Sequence, residues 1–356
     1  MTLSQAVNVN CQYFPQCGGC DFLDLDEEKY RAVKKEILEN LIKNDIAINP
    51  EWIWVGANSR RKIIFQVSHK NQLGFFAKKT NEIVEIDDCF IADTKIKNLI
   101  PILKNFLKTF EQAIFTQISA TLFDNGLDLI FSSKKELNFS QMQKITAFAK
   151  EHNLNISSKV QNQTAPIYLN KKNQIFYPNF KINLDSEIFI QATKSGLESI
   201  IKICRSAVGS SKKIIDIYAG FGTYSFALSD LVTSIYAVEG DEKMVGLINK
   251  NAIANDLQNK IKAEVCDLYL TPIRLKDLSK FDLAIMNPPR KGAAPQALEI
   301  SKSSLKKLVY VSCNPQTFLR DAKILIDSKF QITKLYALDQ FYSTRHLELV
   351  AIFERG

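Results

Sequence analysis

No apolar run in this chain approaches the roughly 18 residues that a membrane-spanning helix needs. Residues 1–10 hold neither a charged n-region nor an apolar h-region, so no secretory leader is expected. Internal repeats, low-complexity segments and a basic arm or tail are also missing. These absences argue against an integral membrane protein and against a secreted disulfide scaffold. A cytoplasmic, reducing location is the expectation. In that setting seven cysteines point to metal binding or catalysis.

What is present is a chain of 356 residues, more than one ordinary core requires, so two domains are expected. Charged residues at 24% and hydrophobic residues at 46% are ordinary for a globular protein. The net charge of +8 favours a polyanionic partner, with a merely solvated basic surface as the competing explanation. The basic residues come in scattered pairs such as Arg60-Arg61, Lys78-Lys79 and Lys171-Lys172.

Cys11, Cys17 and Cys20 form a C-x5-C-x2-C array, and Cys89 offers a fourth thiol. Gly18 and Gly19 let the backbone fold tightly enough for thiolates to converge. Soft ligands of this kind suit Zn²⁺ or an iron–sulfur cluster. Three close cysteines and one remote favour a [4Fe–4S] cluster over zinc, which usually takes two paired C-x2-C units. Three unrelated structural thiols are the bland alternative, and the density of cysteine and glycine argues against it.

Asp26 to Ile46 reads as an amphipathic helix, with Tyr30, Val33, Ile37, Leu38, Leu41 and Ile42 on one stripe. Short strands are expected at 62–68, 73–76 and 83–86, then within 120–131 and at 174–177. Helices are expected at 95–109 and 141–151. This is a mixed α+β domain in which Phe75 and Phe76 lie beside basic residues. Such a surface can stack bases and track phosphate, though an ordinary β core with a solvated rim explains it nearly as well.

The carboxyl-terminal half alternates strands and helices, as a doubly wound parallel sheet does. Ile214 to Gly222 is a strand running into a Gly-x-Gly turn, with Asp216 near its end and Gly220 open to backbone approach. Glu239 ends the next strand about twenty residues on, where an acid accepts ribose hydroxyls. Ser225 stands where a dinucleotide fingerprint has its third glycine, so S-adenosylmethionine suits the loop better than a dinucleotide. Asp267, at the third strand end, can reach the adenine end or cap a helix. Asn287, followed by two prolines and Arg290, is aimed by a rigid backbone toward the ligand edge.

The strand Leu308 to Ser312 delivers Cys313 to that edge, and Asn314-Pro315 stops it. A thiol there is a buried small hydrophobe or a nucleophile. Glu348 interrupts the apolar strand at 347–353, and a carboxylate buried there gains a pKa useful for proton transfer. One reaction uses thiol, acid and methyl donor together. Carbon 5 of uracil is a poor nucleophile until a thiolate adds to carbon 6; it then accepts a methyl group, and a base removes its proton.

The chain resembles the RNA uracil-5-methyltransferase family. The resemblance rests on Cys11/Cys17/Cys20/Cys89, Ile190-Gln191, Asp216-Ile-Tyr-Ala-Gly-Phe-Gly, Asn287-Pro-Pro-Arg, Ser312-Cys-Asn-Pro and His346-Leu-Glu348, in that order. It implies a Rossmann-like catalytic α/β methyltransferase domain at 25–56 and 187–356, and a smaller α+β iron–sulfur and RNA-binding domain at 1–24 and 57–186. It further implies Cys313 as nucleophile and Glu348 as base. Gln191, Tyr218, Gly220, Glu239, Asp267 and Asn287 would contact S-adenosylmethionine, and the four early cysteines would hold a [4Fe–4S] cluster. The implied partner is structured RNA with the target uridine extruded from its stack; a monomer is the expectation for the chain.

Within the family the chain resembles most the short branch acting on 23S ribosomal RNA, with tRNA as the alternative substrate. Asn287 before Pro-Pro-Arg and the absence of an extra amino-terminal β-barrel carry that resemblance. The C-x5-C spacing and Arg345 depart from it. Two other functions fit parts of the sequence. Amino-group methylation uses Asn-Pro-Pro followed by an aromatic residue, a position held here by Arg290, and needs no thiol. A non-catalytic iron–sulfur RNA-binding module needs neither Cys313 nor Glu348.

Overall fold

Asp26 opens the first helix. Its Oδ1 accepts from the Lys29 amide at 2.8 Å, and Glu27 and Glu28 face the positive end of the helix dipole. Helix α1 (Glu27–Ile42) buries Tyr30, Lys34, Leu38 and Ile42 along one face. The structure, a computed structural model, describes residues 11–43 and 45–356. The helix stops at Ile42, short of the expected Ile46, and Ile46 reaches the same core from beyond the helix end. Strand β1 (Glu51–Trp54) follows.

A seven-stranded sheet comes next. It contains β2 (Lys62–Val67), β3 (Leu73–Phe76), β4 (Ile83–Glu85), β5 (Phe115–Phe123), β6 (Gly126–Ser133), β7 (Asn155–Val160) and β8 (Gln163–Tyr168). Helices α2 (Thr94–Leu107) and α3 (Phe139–Glu151) are inserted after β4 and β6. The spatial order is β4-β3-β2-β5-β6-β7-β8. Alternation along β2 sends Ile63, Phe65 and Val67 into a core shared with Leu99, Leu103 and Ile145 of the two helices. Strands β7 and β8 were not expected; β8 is an edge strand carrying Pro166, where a missing amide is tolerated. The ribbon β9 (Asn173–Phe176) and β10 (Lys181–Leu184) leads out of this region.

The remaining chain builds an eight-stranded sheet. In order it comprises α4 (Lys194–Val208), β11 (Lys213–Ile217), α5 (Thr223–Leu228), β12 (Ser234–Glu239), α6 (Glu242–Ala254) and β13 (Ile261–Val265). Then come α7 (Leu275–Leu278), β14 (Leu283–Met286), α8 (Ala294–Lys302), β15 (Lys307–Ser312), α9 (Pro315–Asp327), β16 (Gln331–Asp339) and β17 (Glu348–Glu354). The order is β1-β16-β17-β15-β14-β11-β12-β13. Its strands read as near-continuous apolar runs because both faces are covered, one core lying on each side. Strand order reverses between β11 and β14, the place where open α/β sheets bind ligands. Strand β17 runs antiparallel to both neighbours, and β1 extends the sheet in parallel beside β16. Among the described residues no helix is long and apolar enough to cross a membrane.

The cysteine-bearing segment docks on the meander β2-β3-β4. Gly18 N donates to Phe76 O at 2.9 Å, and Lys78 N donates to Gln16 O at 2.9 Å. That meander depends on Gly74, where an added Cβ would stand 1.9 Å from the Val84 carbonyl oxygen of β4. Gly74→Ala should therefore cost about 3 kcal/mol in chemical denaturation, at the upper end of overpacking.

Candidate active site

The strand ends converge on one cavity of about 1080 Å³. Strands β11, β12, β14 and β15 present their carboxyl ends to it, and β17 presents its amino end because it runs the other way. The β15–β17 register pairs Ser312 with Leu349, so Cys313 and Glu348 are the next residues outward on adjacent strands. All twelve residues singled out in the sequence line this cavity: Cys313 and Glu348; Gln191, Tyr218, Gly220, Glu239, Asp267 and Asn287; and Cys11, Cys17, Cys20 and Cys89.

The turn after β11 is built for a ligand. Tyr218 has φ +61° and Gly220 φ +56°; a Cβ on Gly220 would meet nothing within 4 Å, so its backbone faces open space. Glu239 ties this turn to the end of β12. Its Oε2 accepts from Gly220 N at 2.9 Å, and its Oε1 accepts from Gly240 N at 2.7 Å and Asp241 N at 3.1 Å. One acceptor direction, on Oε2, remains for a hydroxyl. Asp216 lies behind the turn, its Oδ2 accepting from Ser225 Oγ at 2.7 Å and Ser225 N at 3.0 Å. Burial pushes its carboxyl up to about 6, with the Ser225 bonds opposing. Asp267 caps a local turn through Tyr269 N at 3.0 Å and Leu270 N at 3.3 Å while also lining the cavity.

The Asn287–Gly292 loop is stitched to its neighbours on both sides. Arg290 O accepts from Asn314 Nδ2 at 2.9 Å and Thr317 Oγ1 at 3.1 Å, and Tyr269 OH donates to Gly292 O at 2.7 Å. Asn314 also caps α9, its Oδ1 accepting from Gln316 N at 3.1 Å. These bonds hold the Arg290 loop against the Cys313 turn. Burial raises the Cys313 pKa and the nearby Glu348 charge adds to this, while Arg290 pulls it down through charge and a hydrogen bond. Glu348 is 2% exposed. Its Oε2 accepts from Gln340 Nε2 at 2.9 Å, and Gln340 Nε2 also reaches Gln191 Oε1 at 3.4 Å. Burial pushes the Glu348 carboxyl up to about 7 against the opposing Gln340 bond.

The four early cysteines share one wall of the cavity as partly exposed free thiols. Burial pushes Cys20 up to about 12 and Cys89 up to about 11, and the other thiols of the set add to both. Four soft donors on one wall fit the chemistry of an iron–sulfur cluster. Among the described residues, no group of three or more His, Cys, Asp or Glu side chains stands at metal-holding distance. The thiols would have to draw together and lose protons to take one up.

Sequence reasoning missed Gln340 and Lys34, and it placed Tyr30 on the packing stripe without its hydroxyl contacts. Lys34 left a signal: it falls on the buried stripe of α1, four residues from both Tyr30 and Leu38. Gln340 left none, because its partner is fixed by the connection between two strands.

Comparison with known proteins accords with this geometry. The tRNA (uracil-5-)-methyltransferase family matches residues 30–355. An uncharacterised RNA methyltransferase of Brucella melitensis is 27% identical over 98% of this chain and 85% of its own length. A 23S rRNA (uracil(1939)-C(5))-methyltransferase of Shewanella piezotolerans is 26% identical over 99% of this chain and 83% of its own. The crystal structure of Pyrococcus abyssi tRNA (uracil-54, C5)-methyltransferase with S-adenosyl-L-homocysteine superimposes with a TM-score of 0.78. It is 21% identical and covers 95% of this chain and 86% of its own, so the two share a fold. With the family match running across nearly all of its length, the chain belongs to the tRNA (uracil-5-)-methyltransferase family and is an S-adenosylmethionine-dependent RNA uracil-5-methyltransferase.

Proposed function

We propose that this enzyme methylates carbon 5 of a uridine in 23S ribosomal RNA, with Cys313 as nucleophile and Glu348 as base. The observation that carries the reading is the pairing of β15 with β17, which sets a thiol and a buried carboxylate side by side at the ligand edge. The Cys313 thiolate adds to carbon 6, and the ring electrons move onto carbon 5 and the carbonyl oxygen at position 4. S-adenosylmethionine, when bound, supplies an electrophilic methyl group to carbon 5. Arg290 favours the ionised sulfur against the burial that opposes it. The Glu348 carboxylate then takes the carbon-5 proton, the carbon 5–carbon 6 double bond re-forms, and the sulfur leaves as thiolate.

Gln191, Tyr218, Gly220, Glu239, Asp267 and Asn287 are the residues we assign to the methyl donor. Cys11, Cys17, Cys20 and Cys89 would hold a [4Fe–4S] cluster, which we assign to ordering the amino-terminal segment rather than to redox catalysis. We take residues 1–24 and 57–186 as the RNA-binding domain, and 25–56 and 187–356 as the catalytic one. The net charge of +8 suits an RNA partner, and a cytoplasmic monomer suits the chemistry. The 23S reading is supported by the Shewanella relative, whose alignment spans 99% of this chain. tRNA is the second reading, supported by the family's own description and by the archaeal fold match. Methylation of a 23S fragment under conditions that leave tRNA unmodified supports the first; the reverse supports the second.

Cys313→Ala should lower turnover by at least about 10³-fold; retention of activity would remove Cys313 as the nucleophile. Glu348→Gln should accumulate a denaturant-stable protein–RNA adduct that already carries the methyl group. In the native enzyme, breakdown of that adduct should rise about tenfold per pH unit up to about pH 7 and level off above it, because only the ionised carboxylate accepts the proton. Anaerobically purified protein should contain iron and sulfide, and Cys89→Ser should lose both; protein that lacks them from the start would remove the cluster from this account.

A further inference from the structure

The connection that leads into Glu348 is anchored at both ends by one buried ammonium. The Lys34 side chain, on α1, has 0% exposure, and its Nζ lies 3.0 Å from Asp339 Oδ1. The same nitrogen donates to Thr344 O at 2.8 Å and His346 O at 2.6 Å. Asp339 is the last residue of β16, and His346 stands just before the start of β17. Oxygens from both limbs of a single strand connection thus meet on one cation. Tyr30, one turn earlier on α1, secures the middle. Its hydroxyl donates to Asp339 Oδ2 at 2.5 Å and accepts from Ser343 N at 2.9 Å.

A buried ammonium is costly unless each of its three N–H groups finds an acceptor. Lys34 donates to two carbonyl oxygens and forms an ion pair with the Asp339 carboxylate, and all three partners belong to residues 339–346. The same connection also carries Gln340, which donates to Glu348 at 2.9 Å from the limb that Asp339 begins. The Gln340 side chain packs closely against Gly196, where an added Cβ would stand 2.9 Å from its Oε1. Burial and the Gln340 bond account for the shifted acidity of Glu348, so Lys34 acts on that carboxylate through geometry.

We propose that Lys34, seconded by Tyr30, is a positioning residue for proton abstraction: it sets the spacing between Gln340 and Glu348 that aims the carboxylate at carbon 5. This rests on the reading of Glu348 as the base. In the step concerned, a Glu348 oxygen bonds the carbon-5 proton and the C–H electron pair becomes the carbon 5–carbon 6 double bond. The carbon 6–sulfur bond breaks onto sulfur, which releases 5-methyluridine and the Cys313 thiolate. A carboxylate displaced by the relaxed connection slows this elimination without hindering the methyl transfer before it.

The test compares Lys34→Met, Tyr30→Phe and Glu348→Gln with the native enzyme, measuring turnover, S-adenosylhomocysteine affinity by calorimetry, and the fraction of RNA in denaturant-stable adduct. Lys34→Met should lower kcat by about 10²-fold, the cost of a misplaced reacting group, with S-adenosylhomocysteine affinity unchanged and methylated adduct accumulating. Tyr30→Phe, which keeps the ion pair, should do the same to a smaller extent, and it carries the test if Lys34→Met does not fold. Adduct with Glu348→Gln but none with the folded α1 variants would overturn the positioning role alone. Adduct with none of the three would overturn the covalent reading and this assignment together.

Discussion

The chemistry proposed for this enzyme depends on one strand running the wrong way. In a sheet whose other strands are parallel, every strand offers its carboxyl end to the ligand edge. Strand β17, wedged antiparallel between β15 and β16, offers its amino end there instead. That reversal brings a residue near the end of the chain beside one that follows β15, and so sets the proposed base next to the proposed nucleophile. It also creates the long connection between β16 and β17, which a parallel arrangement would have replaced with a crossover helix.

The same burial raises both groups, and each meets a different opposing partner. An apolar surround disfavours both the thiolate and the carboxylate. Glu348 has Gln340 as its opposing partner and arrives near neutrality, where a carboxylate both accepts and surrenders a proton readily. Cys313 has Arg290, held in place by Asn314 and Thr317. The Asn314-Pro315 pair thus does three things at once. It ends the strand, caps α9 and secures the loop that carries the cation.

Much of this was legible in the sequence because the signals are local. A cysteine between an apolar strand and Asn-Pro, an acid inside an apolar strand, and Gly-x-Gly with a strand-end acid each follow from residues within a few positions of one another. The amphipathic stripe of α1 was legible for the same reason, but its most consequential member was not. Lys34 interrupts that stripe, and nothing near it in the chain announces that Asp339, Thr344 and His346 will meet it. Strand β1 is four residues long and pairs with a strand nearly three hundred positions away, so its place at the sheet edge depends on tertiary structure. Strand β8 lacks alternation and contains a proline, and it is held by pairing with β7 rather than by its own pattern. The four early cysteines line the same cavity as the proposed catalytic pair, and nothing near them in the chain announces that.

The most direct measurement uses an RNA substrate bearing 5-fluorouridine at the target position, incubated with the enzyme and S-adenosylmethionine and mapped by peptide mass spectrometry. Fluorine cannot leave as a proton does, so the reaction must stop after methyl transfer. The account predicts a single covalent complex in which methylated RNA is attached to the peptide containing Cys313. Free enzyme after exhaustive incubation with RNA that is otherwise a substrate, or attachment at any other residue, would contradict it.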